Sequence, residues 1–131
     1  MSRKRILIVD DDAFIRRPLE FLLRREGFDT EVAGDGDACL QAMERCLPDL
    51  VCLDVMMPIR DGFSTLEEIR TRSNLARTPI ILLSAKGQER DVTRGLELGA
   101  IDFVHKPYSP TELLSRIKQI LAAEVVKGGQ S

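Results

Sequence analysis

Apolar residues along the chain fall into short unbroken runs, separated by longer stretches in which they recur every three or four positions. The runs at residues 6–9, 50–53 and 80–83 are continuous, the pattern of strands covered on both faces. Two further candidates, residues 28–32 and 101–105, mix apolar with charged positions. Half-polar strands belong at the edges of a sheet. Helical spacing fills the gaps: Ile15, Leu19, Leu22 and Leu23 make one stripe, Leu40, Met43 and Leu47 a second, and Leu113, Ile117, Ile120 and Leu121 the last. Strand and helix patterns in alternation predict βα units and a parallel sheet. With the mixed strands outermost, the pattern fits an α/β architecture of five parallel strands in the order 2-1-3-4-5, a known doubly wound order, with helices on both faces.

Local signals set the boundaries. Ser109-Pro110-Thr111-Glu112 reads as a capping box with proline at the first helical position. Gly27 and Gly99 stand where helices should stop. Pro18 lies inside the first helical stripe, where it removes a backbone hydrogen bond and should bend the helix. Gly128-Gly129-Gln130-Ser131 reads as a frayed end or the start of a linker. The expected organisation is one domain over residues 1–125, with a flexible tail over 126–131.

Composition narrows the function classes. Net charge is −2, which offers no whole-surface field for nucleic acid or anionic lipid. No apolar run approaches the roughly 18–20 residues of a membrane span. The basic start Met1-Ser2-Arg3-Lys4-Arg5 is followed by too short an apolar run for a signal peptide. These features lead us to expect a cytoplasmic protein that binds neither membrane nor, by this chain, nucleic acid. Cys39 and Cys46 are seven positions apart, about 10 Å along a helix, too far for a disulfide. The three cysteines are expected as free, largely buried thiols.

The chemistry gathers at the strand ends. Ligands in a parallel α/β sheet bind beyond the carboxyl ends of the strands, near the point where strand order reverses. There the first strand ends in Asp10-Asp11-Asp12, the third in Asp54, the fourth in Ser84 and the fifth in Lys106-Pro107. Clustered carboxylates repel unless a cation joins them, and they are hard oxygen donors suited to Mg²⁺, Mn²⁺ or Ca²⁺. Asp12 has an alternative use as the cap of the first helix. A carboxylate nucleophile, a divalent metal, an ammonium and a hydroxyl are the parts that phosphoryl transfer needs.

In Ile6-Leu7-Ile8-Val9-Asp10-Asp11, Leu53-Asp54-Val55-Met56-Met57-Pro58, Asp61-Gly62, Leu83-Ser84-Ala85 and Lys106-Pro107, the chain resembles the receiver domains of two-component response regulators. The resemblance covers roughly residues 4–123, and five motifs in order make it specific. It implies a flavodoxin-like fold and a switch phosphorylated on Asp54 by the phosphohistidine of a sensor histidine kinase or a histidine phosphotransfer protein. It implies Mg²⁺, with Mn²⁺ as a substitute, held by Asp10, Asp11, Asp54 and the carbonyl of Met56. It implies that Lys106, before a cis proline, pairs with the acyl phosphate, that Ser84 bonds a phosphoryl oxygen, and that Phe103 repacks as Ser84 moves. The face of the fourth helix, fifth strand and last helix would then change, to serve an output domain, a partner protein or a second copy. Such a protein catalyses its own phosphorylation and dephosphorylation but is not a turnover enzyme.

Some positions depart from the commonest family pattern. Arg60 precedes Asp61-Gly62 where Met or Leu is frequent, and reads as a solvated loop residue. His105 reads as an edge-strand residue. Met56 and Lys86 occupy positions that in this family tune how fast water removes the phosphate, and Met56 offers that water no polar group. Asp102 and Arg116 match one salt bridge of the dimer used by receivers attached to winged-helix domains. Ile101 and Val92 stand where that set has an acid and a base.

Two rival classes share part of the signal. A haloacid-dehalogenase-like phosphatase also uses an aspartate nucleophile with Mg²⁺, but carries a threonine where this chain has Phe14. A flavodoxin-like flavin carrier needs a Ser/Thr/Gly-rich phosphate loop in place of three acids.

Overall fold

The computed structural model describes residues 3–85 and 89–129. Strands and helices alternate as β1 (Arg5–Val9), α1 (Ala13–Arg25), β2 (Asp29–Ala33), α2 (Gly36–Cys46), β3 (Leu50–Asp54), α3 (Gly62–Thr71), β4 (Ile80–Ala85), α4 (Glu89–Glu97), β5 (Asp102–Lys106) and α5 (Pro110–Gly129). The strands form one parallel sheet in the order β2-β1-β3-β4-β5. The chain therefore has the expected α/β, flavodoxin-like arrangement.

Successive residues of each strand serve opposite faces of the sheet. Leu7, Val9, Val51, Leu53 and Leu82 pack with Met43, Leu66 and Ile69 of α2 and α3. Ile6, Ile8, Leu50, Cys52, Ile81 and Leu83 pack with Leu19 and Leu23 of α1 and Leu113 and Ile117 of α5. Two apolar layers against one sheet explain why β1, β3 and β4 read as unbroken apolar runs. At the edges, Asp29, Thr30 and Glu31 of β2 are half-buried and His105 of β5 is exposed.

Both edge strands begin one residue later than expected: the end of α1 claims Phe28, while Ile101 N already bonds the Ile80 carbonyl of β4 at 2.9 Å just ahead of β5. Gly27, at φ 93°, closes α1, with Gly27 N bonded to the Arg24 carbonyl at 3.1 Å and Phe28 N to the Leu23 carbonyl at 3.0 Å. Gly99, at φ 99°, repeats the arrangement after α4, with Gly99 N on the Leu96 carbonyl and Ala100 N on the Gly95 carbonyl, each 3.0 Å. Such paired bonds satisfy the last carbonyls of a helix and favour glycine in the left-handed position.

Pro18 lies within an unbroken α1. It is on the exposed side of the helix, where water can serve the carbonyl that loses its donor. The Ser109 hydroxyl accepts from Glu112 N at 3.3 Å, the expected cap of α5. Helix α5 continues to Gly129. Elongating an established helix is far easier than nucleating one, so helical backbone outlasts the apolar stripe that ends at Leu121. The cysteines are free, and burial pushes the Cys39 and Cys52 thiols up to about 12. No helix among the described residues is long and apolar enough to cross a membrane.

Candidate functional site

Asp10, at the end of β1, and Asp54, the last residue of β3, are side by side because β1 and β3 pair in register, Val9 opposite Leu53. Both are buried, at 0% and 3% exposure. Asp11 follows at the surface. Ligand oxygens of Asp10, Asp11 and Asp54 all lie within 4.8 Å of one another. The Asp12 carboxylate accepts from Phe14 N at 2.9 Å and caps α1, while Asp12 N donates to Asp10 Oδ1 at 2.9 Å. The β1–α1 turn thus fixes one oxygen of Asp10 and leaves the other facing the crevice.

Lys106, from the end of β5, reaches into this cluster. Its Nζ lies 2.8 Å from Asp10 Oδ2 and 3.0 Å from Asp54 Oδ2. The contact with Asp10 is a close ion pair, made to a carboxylate oxygen that is fully buried. Burial pushes the Asp54 carboxyl up to about 6, against the pull of the Lys106 ammonium. For Lys106, burial opposes the charge, yet the two carboxylates outweigh it and hold its pKa above the ordinary lysine value. The bond from Lys106 to Pro107 is cis.

Three carboxylates face one ammonium. The remaining negative charge and the all-oxygen donor set suit a hard divalent cation. Met56 and Pro107 join Asp11, Asp54 and Lys106 around one open depression, and Met56 N donates weakly to Asp54 Oδ1 at 3.3 Å. That floor depends on Gly62: a Cβ there would meet the Asp54 carbonyl and lie 2.8 Å from Val55 Cα. Gly62 N bonds the Val55 carbonyl at 2.9 Å and closes the β3–α3 loop at its base.

Ser84 is fully buried on β4, one strand over. Its hydroxyl donates to the Ala85 carbonyl at 3.1 Å rather than to Asp54. Phe103 is half-buried under α4, packed on the layer of Leu82, and its ring lies 5.7 Å from that of His105. Lys86 lies outside the described residues. Asp102 and Arg116 pair within the chain, both carboxylate oxygens contacting one guanidinium nitrogen at 3.0 and 2.9 Å.

The family profile described as "Response regulator receiver domain" matches residues 6–118. The chain belongs to the response regulator receiver family. The sensory transduction protein RegX3 of Mycolicibacterium smegmatis is 45% identical over 116 residues, which are 88% of this chain and 50% of that protein. The DNA-binding response regulator MtrA of Mycobacterium tuberculosis is 46% identical, with the same 88% and 50% covered. The chain spans about half the length of the curated relatives it matches. The Francisella response regulator 1452 receiver domain superposes with a TM-score of 0.86 at 32% identity, over 93% of this chain and 99% of that one. The protein is thus a receiver domain of a two-component response regulator, and the phosphatase alternative finds no support.

Two features of this receiver escape a reading of its sequence. Arg60, expected as a solvated loop residue, is also paired: its Nε lies 2.9 Å from Asp37 Oδ1 on α2. Arg16 of α1 donates to the Asp10 carbonyl at 3.2 Å. Charge at position 60 was visible in the sequence, but its partner is 23 residues away and no periodicity links the two.

Proposed function

We propose that this receiver takes a phosphoryl group onto Asp54 from the phosphohistidine of a sensor histidine kinase or a histidine phosphotransfer protein. The observation that carries the reading is the contact of Lys106 with both buried carboxylates at the sheet's carboxyl edge. A nucleophile needs a lone pair aimed outwards and a partner for the charge that arrives with the phosphate. Asp54 supplies the first and Lys106 the second.

In the step, an Asp54 oxygen forms a bond to phosphorus as the phosphorus–nitrogen bond of the donor imidazole breaks. The imidazole leaves with the bonding electrons and is neutralised by a proton. Asp10, Asp11, Asp54 and the Met56 carbonyl would hold Mg²⁺, or Mn²⁺ in its place, which when bound neutralises charge on the transferring oxygens. Lys106 exchanges its contact with the Asp54 carboxylate for one with a phosphoryl oxygen. Ser84 turns its hydroxyl from the Ala85 carbonyl to another phosphoryl oxygen, and Phe103 follows into the space that opens beneath α4. The α4-β5-α5 face then presents a different surface to an output domain, a partner protein or a second copy. The protein does this chemistry on itself, without turnover on other substrates, in the cytoplasm where such kinases present their phosphohistidine. Residues 1–125 suffice for it.

The relatives include a DNA-binding regulator of which the match covers 50%, so a DNA-binding output joined to this receiver fits the reading. The test is titration with beryllofluoride and Mg²⁺, a phosphoryl mimic, followed by amide NMR. The expected result is a saturable shift at Met56, Ser84 and Phe103 that Asp54→Asn abolishes. Spectra unchanged in wild type would contradict it.

A further inference from the structure

The loop between β3 and α3, residues 55–61, forms one wall of the acidic crevice; Val55 and Met57 anchor its base in the core, but its outer turn has no such anchor. Met56, Pro58 and Ile59 are exposed. Ile59 has φ 69°, a left-handed conformation that a β-branched side chain resists. Such a residue persists only where its surroundings over-determine it. Three contacts do so here. Arg60 N bonds the Pro58 carbonyl at 2.7 Å across Ile59, and Gly62 N bonds the Val55 carbonyl. The third is longer in reach: the Arg60 guanidinium pairs with Asp37 at 2.9 Å.

The main chain follows the side chain. Gly36, beside Asp37 in the first turn of α2, has no room for a Cβ, which would lie 2.7 Å from the Arg60 carbonyl and against the Thr65 hydroxyl. The fully buried Thr65 in turn donates to the Asp61 carbonyl at 2.7 Å. The outer turn of the loop is therefore seated on the start of α2 by backbone contact and held there by one ion pair.

We infer that Arg60 is a positioning residue: its pair with Asp37 holds the β3–α3 loop on α2 and so sets the Met56 carbonyl for the divalent cation. The inference rests on the cation reading above. A partly exposed pair contributes modestly, so its loss should weaken cation binding about two- to fivefold rather than abolish it.

The experiment compares wild type, Arg60→Met, Asp37→Asn, the double variant, and the charge swap Arg60→Asp/Asp37→Arg. Mg²⁺ affinity is read by amide NMR titration, and hydrogen exchange at Gly62 N is read in metal-free protein. Each single variant should bind Mg²⁺ about two- to fivefold more weakly and exchange Gly62 N faster. The double should be no worse than either single, and the swap should recover most of both losses. Single variants that match wild type in both readouts, or losses that add in the double, would overturn the tether while leaving the cation reading standing. Faster exchange with unchanged Mg²⁺ affinity would overturn its link to the cation. Wild type that binds no Mg²⁺ at all would bring down the proposed function, and this inference with it.

Discussion

Lys106 Nζ and Asp54 Oδ2 meet at 3.0 Å although they come from β5 and β3, with β4 between them. The ammonium spans the top of the intervening strand and also touches Asp10 at 2.8 Å. One cation thus holds two buried carboxylates together before any phosphate arrives, and it occupies the space in which a phosphoryl group must be received.

Replacing Lys106 should therefore split two properties. In Lys106→Met the acidic cluster loses its internal countercharge, so Mg²⁺ should bind more tightly than in wild type. Capture of a phosphoryl group from acetyl phosphate should slow on the order of 100-fold, as when one donor to a developing charge is deleted. Titration and phosphorylation kinetics on one preparation check both. Weaker Mg²⁺ binding in the variant would show that Lys106 organises the carboxylates rather than competing for them.

Mg²⁺ binding should fall with acid in a defined window. Burial raises Asp54 to about 6, and a protonated carboxyl is a poor ligand, so affinity should drop by about tenfold per pH unit below that value. Without metal, the folded state holds this proton more tightly than the unfolded chain does. Asp54's contribution to stability therefore declines as pH rises from 3.8 towards about 6 and is level above. Affinity measured at several pH values on either side of 6 tests the first statement, and a flat profile would refute it.

Gly62→Ala should damage fold and site together. The added methyl would press on the backbone of Asp54 and Val55, which cannot move without shifting the nucleophile. A loss of about 1–3 kcal/mol in stability is expected, read by denaturant titration, with a parallel loss of beryllofluoride binding. Wild-type binding in a destabilised variant would mean that the loop absorbs the strain away from Asp54.

Ser84→Ala should leave phosphorylation possible but uncouple it from the output face. Among the described residues the Ser84 hydroxyl donates to the neighbouring Ala85 carbonyl, a local bond whose removal should barely change stability. Amide shifts at Phe103 on phosphorylation should shrink well below those of wild type. Undiminished shifts would mean that Ser84 does not carry the signal.

Met56, 66% exposed beside Asp54, offers a thioether and no group to orient water. Phospho-Asp54 should be long-lived, and Met56→Asn should shorten its lifetime. A half-life of seconds in wild type, measured by loss of the phosphoryl mass, would count against this.

How much of this was legible in the sequence follows from the physics of each feature. Unbroken apolar runs at β1, β3 and β4 report burial on both faces, and the mixed β2 and β5 report edges, so the edge strands could be read from the pattern, which fits the order 2-1-3-4-5 without fixing it. Acids and a lysine at strand ends are local facts that parallel topology turns into a site. Gly27 and Gly99 announced their left-handed positions, but not that the bonds closing α1 would claim Phe28 and delay β2. Ile59 gave no warning of its φ, because its conformation is imposed by loop closure against the preference of its side chain. The Arg60–Asp37 pair joins the β3–α3 loop to the first turn of α2, set by tertiary packing that leaves no periodic trace. Arg16 likewise finds the Asp10 carbonyl only once α1 has docked on the sheet.

The central claim is most directly tested by intact-mass analysis after incubation with acetyl phosphate, with Mg²⁺ or with EDTA, on wild type and on Asp54→Asn. The account predicts a gain of one phosphoryl group in wild type with Mg²⁺ and none in EDTA or in the variant. An adduct that persists in Asp54→Asn, or none in wild type that binds Mg²⁺, would contradict it.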